Sequence, residues 1–396
     1  MKLDAATIIA EAEAAVEWQD GEPHLHRNLE ALVESLGADG CLSGQGSSAA
    51  RLGMVSRHTD RIAGQKWLAD YPEIADEVIE APVFLCGLPR SGTTYFQYLF
   101  DRDRRFRLIR TWQSLMPQPP PGFDPQSVIE RKAMEEERRA ALRPKLIENF
   151  AALHLLDADG PDECHAFMEQ TGGAAGFFNL YDVPRFFDYL MDKADLVAAY
   201  RAHKRQLQLL QWRLPKQAWA LKYPNHIIAM DAIIQVYPDA RFAITHRDPM
   251  QVLASIAKMS LSLRNARYGS VDPHRVGRQM LDFIDRHIAR IMAFDAGPNG
   301  SRAVHVDYYA LVADPGGEMS KVHAGLGLTS PDDIMKQITG WQRENPKNAR
   351  GTNDYSLAQF GISADEAEER FSAYRHRFSI PREAEALAAI NQRHTR

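Results

Sequence analysis

The sequence predicts an α/β protein: a central parallel sheet of the P-loop type flanked by helices, with a helical N-terminal region and a helical insertion. Three observations lead to this prediction. Residues 82–88 are continuously apolar, as in a strand that is buried on both faces. A short turn and a helical pattern follow this run directly. Strand-like runs then alternate with helical stretches, a spacing that indicates crossover helices between parallel strands.

The N-terminal region, residues 1–80, reads as helices with breaks near 20–21 and 37–46. The insertion, residues 120–215, contains a long charged helix at 125–156 and a helical, aromatic-rich stretch at 161–214. Residues 116–122 hold four prolines and a glycine, which excludes a helix or a central strand there. We assign 81–330 to the α/β core with its insertion and 331–396 to a C-terminal loop and helices, all within a single domain, 1–396.

Three further strands are predicted in the second half of the chain, at 218–222, 241–245 and 303–306. Helices are predicted at 226–236 and from 249 to about 263. The first strand and two of these three end in cations: Arg90, Lys222 and Arg247. Ligands of open parallel sheets bind outside the carboxyl ends of the strands, so we expect these three side chains to form one site.

Composition limits the class of protein. The chain has 396 residues, 45% of them hydrophobic and 25% charged, as in a soluble globular protein. The net charge of −5 argues against a nucleic-acid binder, so any anion site must be local. Three cysteines without a C-x-x-C pair favour neither a disulfide scaffold nor a zinc site. No signal peptide and no membrane-length apolar run is present, so we expect a cytoplasmic protein without stable membrane insertion.

The turn after the first strand has the features of an anion cradle. Backbone N–H groups converge where its helix begins, and a helix N-terminus carries partial positive charge. Gly87 and Gly92 have the glycine spacing of a Walker A loop, but Thr93 stands where that motif has its lysine. The candidate ligands of a phosphate-like group are therefore the backbone and the side chains of the turn: Arg90, Ser91, Gly92, Thr93 and Thr94.

A second anion-binding pattern begins at Arg247. This arginine ends a predicted strand, Pro249 suits the first turn of the next helix, and Ser255 lies about two turns further on. An arginine at a strand end and a serine on the following helix can hold one phosphate from two sides.

Together these motifs resemble the sulfotransferases that use 3′-phosphoadenosine 5′-phosphosulfate (PAPS), especially the bacterial members. The strand–Pro-Arg-Ser-Gly-Thr-Thr–helix unit is similar to their 5′-phosphosulfate loop, and Arg247 with Ser255 is similar to their 3′-phosphate site. The runs at 219–224, 306–315 and 355–361 also match these enzymes, so the resemblance covers about residues 75–365.

The resemblance implies PAPS as the donor and roles for individual residues. Arg90 would stabilise the departing phosphate, and Lys222 would hold the bridging region or the sulfuryl oxygens. Lys347 or Arg350, in a late basic loop, would close over the 3′-phosphate. Sulfuryl transfer depends on positioning and charge stabilisation, and the transferred group carries less charge than a phosphoryl group, so we expect no metal to be required.

The general base is expected in the segment after Gly160-Pro161. Glu163 is our first choice, because Pro161 suits a helix start and would place Glu163 in the first turn. His165 and His226 are the alternatives, since imidazole titrates near neutral pH. The aromatic residues of 161–190 favour a small apolar or amphipathic acceptor. The sequence does not indicate the oligomeric state.

Two other functions remain open at this stage. A P-loop kinase would act on a small molecule, although the Walker lysine and a clear magnesium-binding aspartate are missing. A nucleotide-binding protein without catalysis would use the same fold to recognise a partner.

Overall fold

The computed structural model describes residues 3–39, 42–142, 157–345 and 356–394. Its centre is one parallel sheet, which confirms the predicted α/β class. The strand order is β2-β3-β1-β4-β5. The strands are β1 (Val83–Gly87), β2 (Phe106–Arg107), β3 (Ala218–Lys222), β4 (Arg241–His246) and β5 (Ala303–Asp307).

Strand β1 is central because every one of its residues is buried and apolar or glycine. It pairs with β3, where Leu85 is opposite Lys222, and with β4, where Gly87 is opposite Thr245. All pairings are parallel, so the carboxyl ends of β1, β3 and β4 meet at one edge of the sheet. This edge carries the loop after β1, Lys222 and Arg247.

Helices cover both faces of the sheet in the described chain. Those before the insertion are α1 (Ala5–Val16), α2 (His26–Asp39), α3 (Gly44–Asp70), α4 (Thr93–Phe100) and α5 (Thr111–Leu115). The insertion contains α6 (Pro125–Leu142), α7 (His165–Gln170), α8 (Phe177–Leu180), α9 (Pro184–Asp192) and α10 (Leu196–Gln211).

The second half of the chain supplies the remaining helices. They are α11 (Met230–Val236), α12 (Pro249–Tyr268), α13 (Pro273–Ala296), α14 (Tyr308–Ala313), α15 (Pro315–Gly325), α16 (Asp332–Glu344), α17 (Ala364–Arg377) and α18 (Glu383–His394). Within the described ranges, no helix is both long enough and apolar enough to span a bilayer.

Alternate residues of the strands enter two different apolar cores. Phe84 of β1 belongs to the main core, which also contains much of the insertion, whereas Leu85 belongs to a smaller core with α4, α15 and α16. The sheet is thus buried on both faces. This burial explains why the central strand β1 is a continuous apolar run.

Several boundaries differ from the predicted ones. Strand β2 was not predicted, because two residues are too short to give a periodic signal. The predicted helix 226–236 is a 3₁₀ segment, Pro224–Ala229, followed by α11. Helix α12 continues to Tyr268 rather than ending near 263. The charged helix is described only to Leu142, and its predicted continuation to 156 lies outside the described residues.

Candidate active site

The loop between β1 and α4 has a tightly constrained backbone. Gly87, Arg90 and Gly92 all have positive φ, at 144°, 73° and 93°. A Cβ on Gly92 would lie 2.4 Å from the Tyr308 ring, so only glycine fits between this ring and the start of α4. The turn ends at the N-terminus of α4, and the Ser91 N–H within it bonds to the Leu88 carbonyl. A helix N-terminus after such a turn can bind an anion.

The hydroxyl groups of the loop have different surroundings. Ser91 is fully buried, and its Oγ lies 2.7 Å from Oγ1 of Thr245 on β4. That hydrogen bond attaches the loop to the neighbouring strand. Thr93 is buried as well, whereas Thr94 Oγ1 accepts a hydrogen bond of 3.2 Å from Lys222 Nζ. Thr94 therefore joins the loop to the end of β3.

The two anion-binding patterns of the sequence lie side by side. Arg90 Nε donates a hydrogen bond of 3.0 Å to Ser255 Oγ, and Arg247 Nη1 donates one of 3.1 Å to the Arg90 carbonyl oxygen. Arg247 also lies over the Tyr308 ring, with its Cζ 4.8 Å from the ring centroid. Arg90 and Ser255, which are 165 positions apart in the chain, thus lie with Arg247 in one cluster.

Lys222 and Glu163 form an ion pair at the end of β3. The Lys222 side chain is 1% exposed, and its Nζ bonds directly to Glu163 Oε1. A backbone hydrogen bond of 2.8 Å from Cys164 N to Lys222 O holds the two segments together. The expected helical position of Glu163 is wrong: α7 begins at His165, and Glu163 lies in the turn before it.

His165 belongs to a second polar group next to this ion pair. Its Nε2 lies 3.1 Å from Oε1 of Glu169, whose Oε2 accepts a 3.0 Å hydrogen bond from Arg57 Nε. Desolvation disfavours the charged imidazole, but the Glu169 carboxylate outweighs this and raises the pKa of His165. Burial opposes ionisation of Glu169 too, yet its cationic partners lower its pKa to about 2.

His226 has different partners from these groups, although the Lys222 charge acts on it. Its side chain is fully buried in the main core, with Nδ1 2.6 Å from the Tyr200 hydroxyl and its ring edge-to-face on Phe84. Burial lowers the pKa of His226 well below its usual value. Lys347 and Arg350, the candidates for the closing loop, lie outside the described residues.

Glu383 is a site residue that sequence reasoning missed. It is the first residue of α18, and its carboxylate binds the Arg247 guanidinium through two hydrogen bonds of 2.8 Å. Glu383 lies in no motif and reaches the site only through tertiary packing. Glu169 was missed as well, although it lies four residues after His165 on α7, a spacing that brings two helical side chains together. In the described ranges, no three His, Cys, Asp or Glu side chains are grouped as metal ligands.

Comparisons with known proteins find two solved structures with this fold. The structure is similar to that of sulfotransferase STF9 from Mycobacterium avium, with a TM-score of 0.86 and 23% identity, covering 96% of this chain and 97% of that one. It is also similar to sulfotransferase STF1 from Mycobacterium tuberculosis, with a TM-score of 0.81 and 26% identity, covering 94% and 99%. Among curated proteins, no sequence matches this chain.

The family comparison covers the site itself. A model of the sulfotransferase family matches residues 82–332, which include β1 and its loop, the Glu163 segment, Lys222, Arg247 and Ser255. This is well over half of the chain, and the likeness to the two mycobacterial structures extends over nearly all of it. The chain therefore belongs to the sulfotransferase family.

Proposed function

We propose that this protein transfers a sulfuryl group from PAPS to a hydroxyl or amine of a small acceptor, without a metal ion. The observation that carries the proposal is the meeting of two anion-binding motifs, with Arg90 Nε 3.0 Å from Ser255 Oγ and Arg247 Nη1 3.1 Å from the Arg90 carbonyl. A donor with phosphates on both its 5′ and 3′ sides needs two such motifs next to each other. The cradle after β1 would take the 5′ side, and Arg247 with Ser255 the 3′-phosphate.

The residues present suit such a donor. Thr93 stands in place of a Walker lysine, and the cations of the site come instead from Arg90, Lys222 and Arg247. Lys222 is held by Thr94 and Glu163 beside this loop, where negative charge would develop on the leaving phosphate. A fixed cation in a site with little water stabilises that charge at small reorganisation cost.

In the proposed reaction, an acceptor oxygen or nitrogen forms a bond to sulfur while the bond from sulfur to the bridging phosphate oxygen breaks. The acceptor proton passes to Glu163, and adenosine 3′,5′-bisphosphate (PAP) leaves with the bridging oxygen. Glu163 is our first choice for the base because its carboxylate lies directly at Lys222. His165, held by Glu169, is the second choice. The buried position of His226 argues against it.

The nature of the acceptor is not indicated by the aromatic residues of the insertion. Phe177, Phe178, Phe186 and Phe187 are each at most 6% exposed and pack in the main core. The abundance of these phenylalanines therefore reflects core packing. It no longer supports the sequence-based expectation of an apolar or amphipathic acceptor. The proposal is limited to a small molecule with a nucleophilic hydroxyl or amine.

Isothermal titration calorimetry with PAP in metal-free buffer tests the donor assignment. We expect binding by the wild-type protein and a loss of about 10- to 100-fold in Arg247→Ala, since a hydrogen bond to a charged group contributes about 1.5–3 kcal/mol. Adenosine 5′-phosphate lacks the 3′-phosphate, so its affinity should change little in the same variant.

Two results would contradict the assignment. Absence of PAP binding by the wild-type protein excludes PAPS as the donor. Equal losses of affinity for PAP and adenosine 5′-phosphate in Arg247→Ala exclude Arg247 as a ligand of the 3′-phosphate.

The kinase alternative predicts magnesium-dependent turnover of ATP, which the same preparation should not show. If the wild-type protein binds PAP but transfers no sulfuryl group to any acceptor, the result would favour the non-catalytic alternative.

A further inference from the structure

The guanidinium group of Arg247 is already occupied by a carboxylate of this chain. Its Nε and Nη2 each donate a hydrogen bond of 2.8 Å to one oxygen of Glu383. Both side chains are largely buried, at 18% and 17% exposure. Burial opposes the charge on Arg247, but the hydrogen bonds to Glu383 outweigh this effect and raise its pKa. The contact therefore has the bidentate geometry of an arginine–carboxylate pair.

The Glu383 carboxylate is held in this position from other sides as well. The Tyr309 hydroxyl donates a hydrogen bond of 3.0 Å to Glu383 Oε2. The backbone N–H of Glu383 donates one of 3.0 Å to Asp248 Oδ2. Asp248 directly follows Arg247 in the chain. The start of α18 is thus fitted to the end of β4, rather than lying against it by a single flexible side chain.

Carboxylates and phosphates are the two anions that an arginine fork binds through parallel hydrogen bonds. The same edge of Arg247 cannot bind both, and two anions brought together there would repel each other. We propose that Glu383 is an internal competitor of the donor's 3′-phosphate: it binds Arg247 in the nucleotide-free protein and is displaced when the nucleotide binds. This inference rests on the proposed function, which assigns the 3′-phosphate to Arg247.

The packing of α18 allows such a displacement. Its apolar contact is a small cluster in which Ala386 and Ile390 meet Tyr308, Tyr309 and Val312 of α14. Ala384, Glu385, Ala388 and Ala389 of the same helix are exposed. Few buried contacts mean a low free energy of local opening, so the first turn of α18 can open without disturbing either core once its hydrogen bonds to Tyr309 and Asp248 are broken.

Competition of this kind weakens the binding of donor and product together, because PAPS and PAP carry the same 3′-phosphate. Product release limits the turnover of many enzymes. An internal carboxylate that rebinds Arg247 as the phosphate leaves would shorten the lifetime of the PAP complex. Removing the carboxylate should then tighten PAP binding mainly by slowing its dissociation.

The test compares PAP with adenosine 5′-phosphate by calorimetry on three proteins: wild type, Glu383→Gln and Glu385→Gln. We expect Glu383→Gln to bind PAP about 10-fold more tightly than wild type, the reverse of the loss in Arg247→Ala, because no carboxylate competes for the arginine. Its affinity for adenosine 5′-phosphate should stay within about two-fold. Glu385→Gln removes an exposed charge from the same helix and should change neither affinity.

Unchanged or weaker PAP binding in Glu383→Gln would overturn the inference and would show that Glu383 positions Arg247 for its ligand. Glu383→Asp keeps the charge but withdraws the carboxylate by one methylene group, so we expect it to tighten PAP binding by a smaller factor. If Glu383→Gln does not fold, the PAP affinity of Glu383→Asp alone tests the inference. A PAP affinity equal to that of wild type in Glu383→Asp is then evidence against competition. Failure of the proposed function is a different result, since the wild-type protein would then not prefer PAP to adenosine 5′-phosphate.

Discussion

At the scale of single residues, the ion pair between Lys222 and Glu163 is asymmetric. The lysine is 1% exposed, whereas the glutamate side chain is 25% exposed. An unpaired charge is costly in the interior but much less so where water reaches it. The two partners therefore contribute differently to stability, although the proposed reaction needs both.

Replacing each partner in turn should reveal this asymmetry. Lys222→Met keeps the length of the side chain and leaves the remaining charge on Glu163, which water reaches, so we expect a melting temperature close to that of wild type. Glu163→Gln leaves a buried ammonium unpaired and should lower stability by roughly 3 kcal/mol. Both variants should lose about 10²–10³-fold in kcat. A larger stability loss in Lys222→Met than in Glu163→Gln would contradict this account.

The pair of His165 and Glu169 predicts a pH effect. Because the pKa of His165 is raised in the folded protein, the pairing stabilises the fold below the ordinary histidine pKa and loses this effect as pH rises through the raised value. In Glu169→Gln the desolvation remains and the opposing charge is gone, so the pKa of His165 should fall. NMR titration of the His165 ring protons measures both values.

The control for this titration is Glu136→Gln, which removes an exposed charge from α6 and should leave the His165 midpoint unchanged. Stability measurements give a second readout: Glu169→Gln should destabilise the protein more at acid than at alkaline pH. A His165 midpoint that stays the same in Glu169→Gln would show that the carboxylate does not set it.

The residues that the sequence could identify are those whose local context is itself a signal. Arg90 follows a buried strand and precedes a helix. Arg247 ends a strand, and Ser255 lies about two turns into the helix that follows it. Glu383 has no such context, because its partner Arg247 lies 136 residues away in the chain. Glu169 lies four residues after His165, but its contact with Arg57, 112 residues away, is a relation that only the folded structure supplies.

At the scale of secondary structure, the loop between β1 and α4 depends on one glycine. Gly92 combines a φ of 93° with a close approach to Tyr308. We expect Gly92→Ala to cost about 1–3 kcal/mol in backbone strain alone and to abolish PAP binding, since the ring or the loop must move. Thermal unfolding and calorimetry measure the two effects.

Gly340→Ala is the matched control for this substitution. Gly340 lies within α16, and nothing lies within 4 Å of the place where its Cβ would be. Alanine there should stabilise the protein by up to about 1 kcal/mol and leave PAP binding unchanged. If Gly92→Ala behaved like Gly340→Ala, the loop would not need a left-handed glycine.

Strand boundaries were predictable from short runs of mostly apolar residues. The predicted strands 218–222 and 303–306 agree with β3 and β5 to within one residue, although β5 is an edge strand in which only Val306 is buried. The start of α7 was placed too early, since the proline rule marks a permitted helix start and not a required one. Glu163 precedes that helix and bonds to Lys222, a contact that the local sequence does not reveal.

At the scale of the whole molecule, the sequence predicts a parallel sheet but not the order of its strands. Alternation of strands and helices gives the class of fold, and the carboxyl-end rule gives the edge where the site lies. The order β2-β3-β1-β4-β5 depends on which strand faces are most completely buried. That property belongs to the assembled cores, whose residues are far apart in the chain: the main core extends from Ala5 to Ile380 and the smaller one from Val83 to Ile338.

The central position of β1 has a consequence for biosynthesis. Both neighbours of this strand, β3 and β4, begin only at residues 218 and 241, so a growing chain contains an unpaired apolar strand until more than half of it has been made. In a fragment 1–215, amides of Val83–Gly87 should exchange freely with deuterium, whereas a fragment 1–270 should protect them. Protection of these amides in fragment 1–215 would show that β1 pairs before β3 and β4 are present, and would contradict the expectation. A nascent chain of this protein thus exposes, until β4 emerges, the kind of segment that chaperones bind and that drives aggregation.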